Sequence, residues 1–455
     1  MTGVARQTAQ SSSTSVAGTD RVRQPVPPRI LLVGGSDHDL RIPFLLELAK
    51  MGFDVAAAGT CSSDPFARNG IRYYPYSFDR FANPLADWRA LRDLRRIIAE
   101  HKPDIVHSFD TKPGILVPAA ARARPGTHVM RTINGLGWLF SSQSLPARAL
   151  RPAFNILHRA TAPWTTLTVF QNRSDEAFFK ERHMIGRGGS CLIPGSGADI
   201  ANFEKRRSEG PSAEELRTAL GLADAEVVIT VTRLSRIKGI PALLEAAALV
   251  YAVRPGVRFL LVGSRETEGK LAVTQAEIDR HAPYVMAIGP RSDVPSLLSM
   301  ADIFAFPTEL CEGVPRVLLE AGLAGLPIVT TNMPGCPDVV EDGESGFVVT
   351  AGQPRQLADR ILDLLHDRDS AHEMGQRARR RVVQTFSLEA IVDAYATAYE
   401  RLAAGATAQT KTESAQTGSV DHPARQQAHA MIPENLPTAN PSRSEHFGGN
   451  RNANV

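Results

Sequence analysis

Asp302-Ile303-Phe304-Ala305-Phe306 is an apolar run of buried-strand character, and it stops at Pro307. Thr308-Glu309-Leu310-Cys311-Glu312-Gly313-Val314-Pro315 forms the loop that follows, and Arg316-Val317-Leu318-Leu319-Glu320-Ala321 opens a helix. Pro315 stands at the helix start, where its missing N–H costs nothing. Glu312 lies just ahead of the helix and Glu320 about two turns into it, so both carboxylates can border one pocket. Gly313 and Val314 lead to the amides of Arg316 and Val317, which face the same pocket, and a helix N-terminus attracts phosphate. Carboxylates for sugar hydroxyls beside a dipole for phosphate suit a nucleotide sugar. Acids are favoured in the first turns of any helix, so the rest of the chain must give the motif its meaning.

Moving upstream, Val227-Val228-Ile229-Thr230-Val231-Thr232 reads as another buried strand, followed by Arg233-Leu234-Ser235-Arg236-Ile237-Lys238-Gly239 and a helix from about Pro241. Arg233 and Lys238 fall between strand and helix, aimed at a diphosphate: Arg offers a fork and Lys a point charge. Phe259–Gly263, Met286–Asp293 and Pro327–Thr331 repeat the strand-to-loop pattern. Helical periodicity over Pro354–Leu365 and Ser387–Leu402 finishes the folded part.

The first half repeats this alternation. Arg29–Val33 is a continuous apolar run of the central parallel-strand type, followed by Gly34-Gly35-Ser36 and a helical pattern over Ile42–Lys50. Pro103-Asp104-Ile105-Val106-His107-Ser108-Phe109-Asp110-Thr111-Lys112-Pro113 is a strand ending in a polar loop, the place where open α/β sheets bind ligands. His107 at that end is either a site residue or a histidine hydrogen-bonded to a neighbouring segment. Val129–Trp138 is a strand running into Asn134-Gly135-Leu136-Gly137, whose glycines allow close backbone approach to a substrate. Leu145–Trp164 alternates large apolar residues with Arg148, Arg151 and Arg159, the pattern of a helix that packs on its domain or lies on a membrane. Cys191–Asp199, rich in Gly and Pro, reads as the connection between two domains.

Composition bounds the function. The 455 residues allow two domains with tails. The net charge of +3 is too small to imply nucleic-acid binding. Residues 27–190 carry about 22 Lys and Arg against about 14 Asp and Glu, a surplus compatible with an anionic membrane or a pyrophosphate-linked acceptor. The four cysteines lack C-x2-C spacing, which suggests neither zinc nor disulfides and fits a reducing cytosol. No run has the length of a membrane span. These features place the protein in the cytoplasm, with any membrane contact peripheral. Residues 1–27 and 405–455 are polar and read as disordered.

The segment from Glu312 to Glu320, within EGVPRVLLEAGLAGLPIVTTNMPGCPDVVEDGESGFVV, resembles the E-x7-E region of the retaining glycosyltransferases of family 4. It is most similar to the subset acting in capsule, O-antigen and exopolysaccharide assembly, and the similarity runs from about Ile30 to about Leu402. The resemblance implies a GT-B fold: two Rossmann-like domains facing each other across a cleft. The first is expected over 28–194 and holds the acceptor; the second, over 195–385, holds the nucleotide-sugar donor. A C-terminal helix over 386–404 is expected to cross back to the first.

Residue roles implied by the resemblance follow the matched segments. Glu320 holds the ribose, Glu312 orients the transferred sugar, and Arg233 with Lys238 matches the R-x-x-x-x-K segment. Arg291 belongs to the loop bordering the base. Gly35, His38 and Arg41 fall in the first loop, over the donor and near the acceptor. His107 and Lys112 match V-H-x-F-x-x-K-P, with Ser108 and Phe109 where relatives often carry a second histidine. Asn134 and Gly135 match the acceptor-side T-x-x-G-L-G segment.

The reading is a hexosyltransferase taking a hexose or N-acetylhexosamine from a nucleoside diphosphate sugar, with UDP preferred, to a lipid-linked or glycan acceptor in surface polysaccharide biosynthesis. No Asp-x-Asp segment lies in a metal-binding context, so no metal or other cofactor is expected. The alternatives are a nucleotide-sugar 2-epimerase on the same fold and a non-catalytic sugar-nucleotide-binding component of an assembly complex.

Overall fold

A computed structural model describes residues 27–79 and 83–404; the two tails read as disordered fall outside the described residues, except at Pro27. Two sheets of parallel strands make up the fold. The first comprises β1 (Arg29–Val33), β2 (Asp54–Gly59), β3 (Arg72–Pro75), β4 (Ile105–Phe109), β5 (His128–Ile133), β6 (Leu167–Phe170) and β7 (Ser190–Leu192), in the order β3-β2-β1-β4-β5-β6-β7. The second comprises β8 (Glu226–Val231), β9 (Val257–Val262), β10 (Val285–Ala287), β11 (Ile303–Phe306), β12 (Ile328–Thr331) and β13 (Gly346–Val349), in the order β10-β9-β8-β11-β12-β13. In each sheet the order reverses beside the first strand, between β1 and β4 and between β8 and β11. The carboxyl ends of those strands are where such sheets bind ligands.

β1 and β8, beside the switch points, are largely apolar because both of their faces are covered. Ile30 and Leu32 of β1 enter one core, Leu31 and Val33 another. In β8, Val227 and Ile229 go to one side and Val228 to the other. Successive strand residues point to opposite faces, so a run without polar breaks marks burial on both.

Gly195 and Gly197 carry the chain between domains with φ of 80° and 83°, the left-handed region that favours glycine. The returning chain lies beside this crossing: the Ala198 amide donates to the Phe386 carbonyl at 2.7 Å, and the Leu388 amide to the Ala198 carbonyl at 2.9 Å. The last helix, Leu388–Ala403, then packs on the first domain, with Ile391, Tyr395 and Tyr399 in the same core as Ile30 and Leu32. Fully burying such a side chain contributes roughly 1.5–3 kcal/mol.

Several elements were not identified from the sequence. The helix Arg368–Thr385 is one of them, and the short edge strands β3, β7 and β13 are others. Leu145–Thr161 forms a single helix that buries Ala147, Phe154, His158 and Thr161.

Candidate active site

The two switch points face each other across a cleft of about 480 Å³. The second domain supplies Lys238, Glu312, Gly313, Val314, Arg316 and Val317 to one wall. The first domain supplies Gly35, His38, Arg41, Asp110, Asn134 and Gln171 to the other, joined by Tyr395 of the returning helix.

The second wall is built by the run from β11 into the helix Arg316–Leu323. Lys238, itself buried, ends a short 3-10 turn after β8 and donates from Nζ to Glu312 Oε1 at 2.6 Å. Its ammonium also lies 5.4 Å from the centroid of the Phe306 ring. Gly239, at φ 70°, lets this turn pass beneath the Pro307 carbonyl, which would stand 1.7 Å from a Cβ there. Pro315 gives the helix Arg316–Leu323 no side-chain cap, which leaves its first amides for a ligand anion.

Glu320 sits in a small recess lined by Asn202, Arg206 and Arg316, and the recess shares Gly197, Asp199 and Arg316 with the main cleft. Burial raises the Glu320 carboxyl above its ordinary range, while Arg316 and Arg206 pull it back.

On the first wall, Arg41 stacks its guanidinium 4.0 Å from the Phe109 ring centroid and lies 3.9 Å from Asp110 Oδ1. Asn134 Nδ2 donates to the same oxygen at 2.6 Å. Asp110 is held at φ 74°, a left-handed conformation that Asp tolerates better than most residues. His38 lines the cleft but is buried, stacked on Phe66. Burial and nearby Arg41 lower its pKa to about 3, so its ring is neutral.

Several expected site residues stand elsewhere. His107 is fully buried in β4, outside the cleft lining: Nδ1 pairs with the Tyr399 hydroxyl at 2.6 Å and Nε2 with Thr132 Oγ1 at 2.7 Å. Burial, Arg41 and His38 hold its pKa well below the ordinary histidine value. Its two nitrogens tie the returning helix to the first sheet. Lys112 pairs with Asp87 at 2.5 Å and donates to the Asp79 carbonyl at 2.6 Å, away from the cleft lining. Arg291 forks onto Asp293 at 2.8 and 2.5 Å on the surface. Arg233, half-exposed, is drawn to Glu268 at 2.5 Å and stands outside the cleft lining. Gly135 contributes no wall; at φ 110° it backs onto the Glu312–Gly313 peptide.

Asp110, Gln171 and Tyr395 are cleft residues that sequence reasoning did not single out. Asp110 and Gln171 each come directly after the last residue of a strand, β4 and β6, and that position was a usable signal. Tyr395 had none, since only the folded chain brings its helix back. Burial pushes the Cys336 thiol up to about 12, which suits a packed residue. Among the described residues, no group of three or more His, Cys, Asp or Glu is arranged to hold a metal ion.

Two family models match the chain: "Glycosyl transferase 4-like domain" over residues 44–186 and "Glycosyl transferases group 1" over 212–381. The spore coat protein SA of Bacillus subtilis is 32% identical over 217 residues, a match covering 45% of this chain and 57% of that protein. The UDP-Gal:alpha-D-GlcNAc-diphosphoundecaprenol alpha-1,3-galactosyltransferase of Escherichia coli is 27% identical over 313 residues, covering 68% and 78%. Among solved structures, Anabaena Alr3699/HepE in complex with UDP superposes with a TM-score of 0.67 at 20% identity, covering 82% of this chain and 99% of that one. The order of both sheets, the cleft between their switch points and one family model on each domain lead to the same conclusion: the chain belongs to the family 4 glycosyltransferases and has their GT-B fold.

Proposed function

We propose that this glycosyltransferase moves a hexose or N-acetylhexosamine from a UDP-sugar to a lipid-linked or glycan acceptor, with retention at the anomeric carbon, at the inner face of the cytoplasmic membrane. The observation that carries the reading is the opposition within one cleft of a charged wall, Lys238 with Glu312 at an uncapped helix start, to an amide- and carboxylate-bearing wall at Asp110 and Asn134. As the glycosidic bond breaks, negative charge grows on the departing diphosphate. Lys238 and the amides of Arg316 and Val317 meet that charge, an electrostatic contribution that dominates many such reactions. Arg233 joins them when it leaves Glu268. Glu320 takes the ribose and Glu312 a hydroxyl of the transferred sugar. Because cationic side chains and a helix dipole answer the diphosphate, turnover is expected to proceed without a divalent cation and to survive EDTA.

The acceptor class is supported by the relative acting on a diphosphoundecaprenol sugar and by the helix Leu145–Thr161. Leu145, Ala149, Leu150, Ala153, Ile156 and Leu157 share one sector of that helix, all exposed, with Leu145 at 80% and Ile156 at 62%. Arg148 and Arg159 flank the sector, the arrangement of a helix lying in a bilayer interface. No helix among the described residues is long and apolar enough to cross a membrane.

The test is UDP and GDP release from a panel of nucleotide sugars, with and without membrane lipid extract, for wild type and Glu320→Ala. Lipid-dependent release from one UDP-sugar, lost in the variant, is the expected result. Release that needs no acceptor would indicate an epimerase, and donor binding without turnover a binding component.

A further inference from the structure

The loop that carries Glu312 belongs to the second domain, but much of its backbone is held by the first. The Gly137 amide donates to the Cys311 carbonyl at 3.0 Å, and the Cys311 amide donates to Ser141 Oγ at 2.7 Å. Asn172, fully buried after β6, donates from Nδ2 to the Glu312 carbonyl at 3.0 Å and to the Gly313 carbonyl at 3.3 Å. The amide is itself oriented: Nδ2 also reaches Asp175 Oδ2 at 2.9 Å, and Oδ1 accepts from the Asp175 amide at 2.8 Å, capping the helix Arg173–Glu181.

Three glycines allow this approach. A Cβ on Gly135 of the first domain would stand 2.6 Å from the Gly313 nitrogen. One on Gly313 would stand 2.0 Å from Gln171 Oε1, and one on Gly335 would stand 2.2 Å from the Gly313 carbonyl oxygen. The Glu312–Gly313 peptide is therefore packed between backbone of both domains, with no room for a side chain on either side.

We propose that Asn172 is a positioning residue that couples closure of the two domains to placement of the Glu312 carboxylate. When the domains close on the hinge at Gly195 and Gly197, Asn172 takes the two carbonyls and fixes the peptide from which Glu312 reaches toward Lys238. When they part, those hydrogen bonds break and the loop loses its support from the first domain. The donor site is thus completed only in the closed molecule, which keeps a bound donor from reacting before the acceptor domain is in place. This inference rests on the transferase reading for its kinetic consequence, while its structural half stands without turnover.

The test uses Asn172→Ser, which retains an oxygen to cap the helix Arg173–Glu181 but lacks the amide that spans both carbonyls, and Gly135→Ala, which obstructs the same approach from the backbone. Hydrogen–deuterium exchange over 308–316 in the full chain, without substrate, reports the clasp itself. Faster exchange confined to that segment in Asn172→Ser, with a melting temperature only modestly lowered by the lost buried hydrogen bonds, is expected. With donor and acceptor, kcat is expected to fall about 100-fold, while UDP affinity stays within about twofold, and Gly135→Ala to follow the same split. Unchanged exchange would overturn the proposal, as would a wild-type kcat or a parallel loss of kcat, UDP affinity and melting temperature. A wild type that turns over no donor would instead count against the transferase reading, leaving the exchange result to decide the clasp.

Discussion

The two domains share the order of six strands, to which the first adds β7 at one edge, but they furnish their switch points in opposite ways. The second places a buried ammonium, a carboxylate and an uncapped helix start within one short loop-and-helix run. The first assembles its wall from Arg41, Asp110, Asn134 and Gln171, four segments apart in sequence, with Tyr395 arriving from the far end of the chain. In the proposed function a donor diphosphate is chemically the same whichever sugar it carries, so a fixed cationic grip would serve it. Acceptors differ from one relative to the next, and a wall collected from separate loops can change one loop at a time.

The largest effect is expected at Glu312. Glu312→Gln keeps the volume but removes the charge that Lys238 holds at 2.6 Å. We expect kcat to fall by about 100- to 1000-fold, as measured by sugar transfer at saturating donor. On the first domain, Leu145→Glu combined with Ile156→Glu is expected to cut sedimentation with phosphatidylglycerol vesicles by about tenfold, each buried charge opposing interfacial binding. Transfer to a detergent-soluble acceptor should be unchanged; vesicle binding equal to wild type would remove the membrane role of that helix.

His107 sharpens the contrast from the other direction. His107→Asn leaves the Tyr399 or Thr132 hydroxyl short of a buried partner, which costs about 1–3 kcal/mol. A lower melting temperature with kcat near wild type is expected, since the side chain has no access to the cleft.

The smallest effect lies at the domain junction. Burial raises the Asp175 carboxyl to about 7 against the opposing hydrogen bond from Asn172, with Asp338 across the junction adding to the rise and Cys311 also facing it. A carboxyl raised in the folded state contributes its stability fully below the ordinary carboxylate range and loses it as pH climbs through about 7. Wild type should therefore lose stability between about pH 4 and about pH 7. Asp175→Asn should lose less, as read by denaturant midpoints at each pH.

The strands β1 and β8 were plain in the sequence because burial on both faces leaves a nearly continuous apolar run, as in Ile30–Val33 and Val227–Ile229. β3, β7 and β13 have only three or four residues and are partly exposed, too little for periodicity to register. The helix Arg368–Thr385 buries Ala371, Met374, Ala378 and Val382 at helical spacing, but most of these are small and its arginines dilute the signal. Lys238, Glu312 and Arg316 were readable because strand, loop and helix fix them locally. His107 was misplaced because its hydroxyl partner Tyr399 is 292 residues away. A strand's sequence shows where it ends but not which of its two faces a later helix will cover.

The central claim, that the donor is held by the second domain and the acceptor by the first, is tested most directly by calorimetric titration of UDP into wild type, Lys238→Ala and Arg41→Ala. Lys238→Ala should weaken UDP by about 30-fold or more, and Arg41→Ala should bind it as wild type does while losing transfer. Equal weakening in both variants, or none in Lys238→Ala, would contradict that claim.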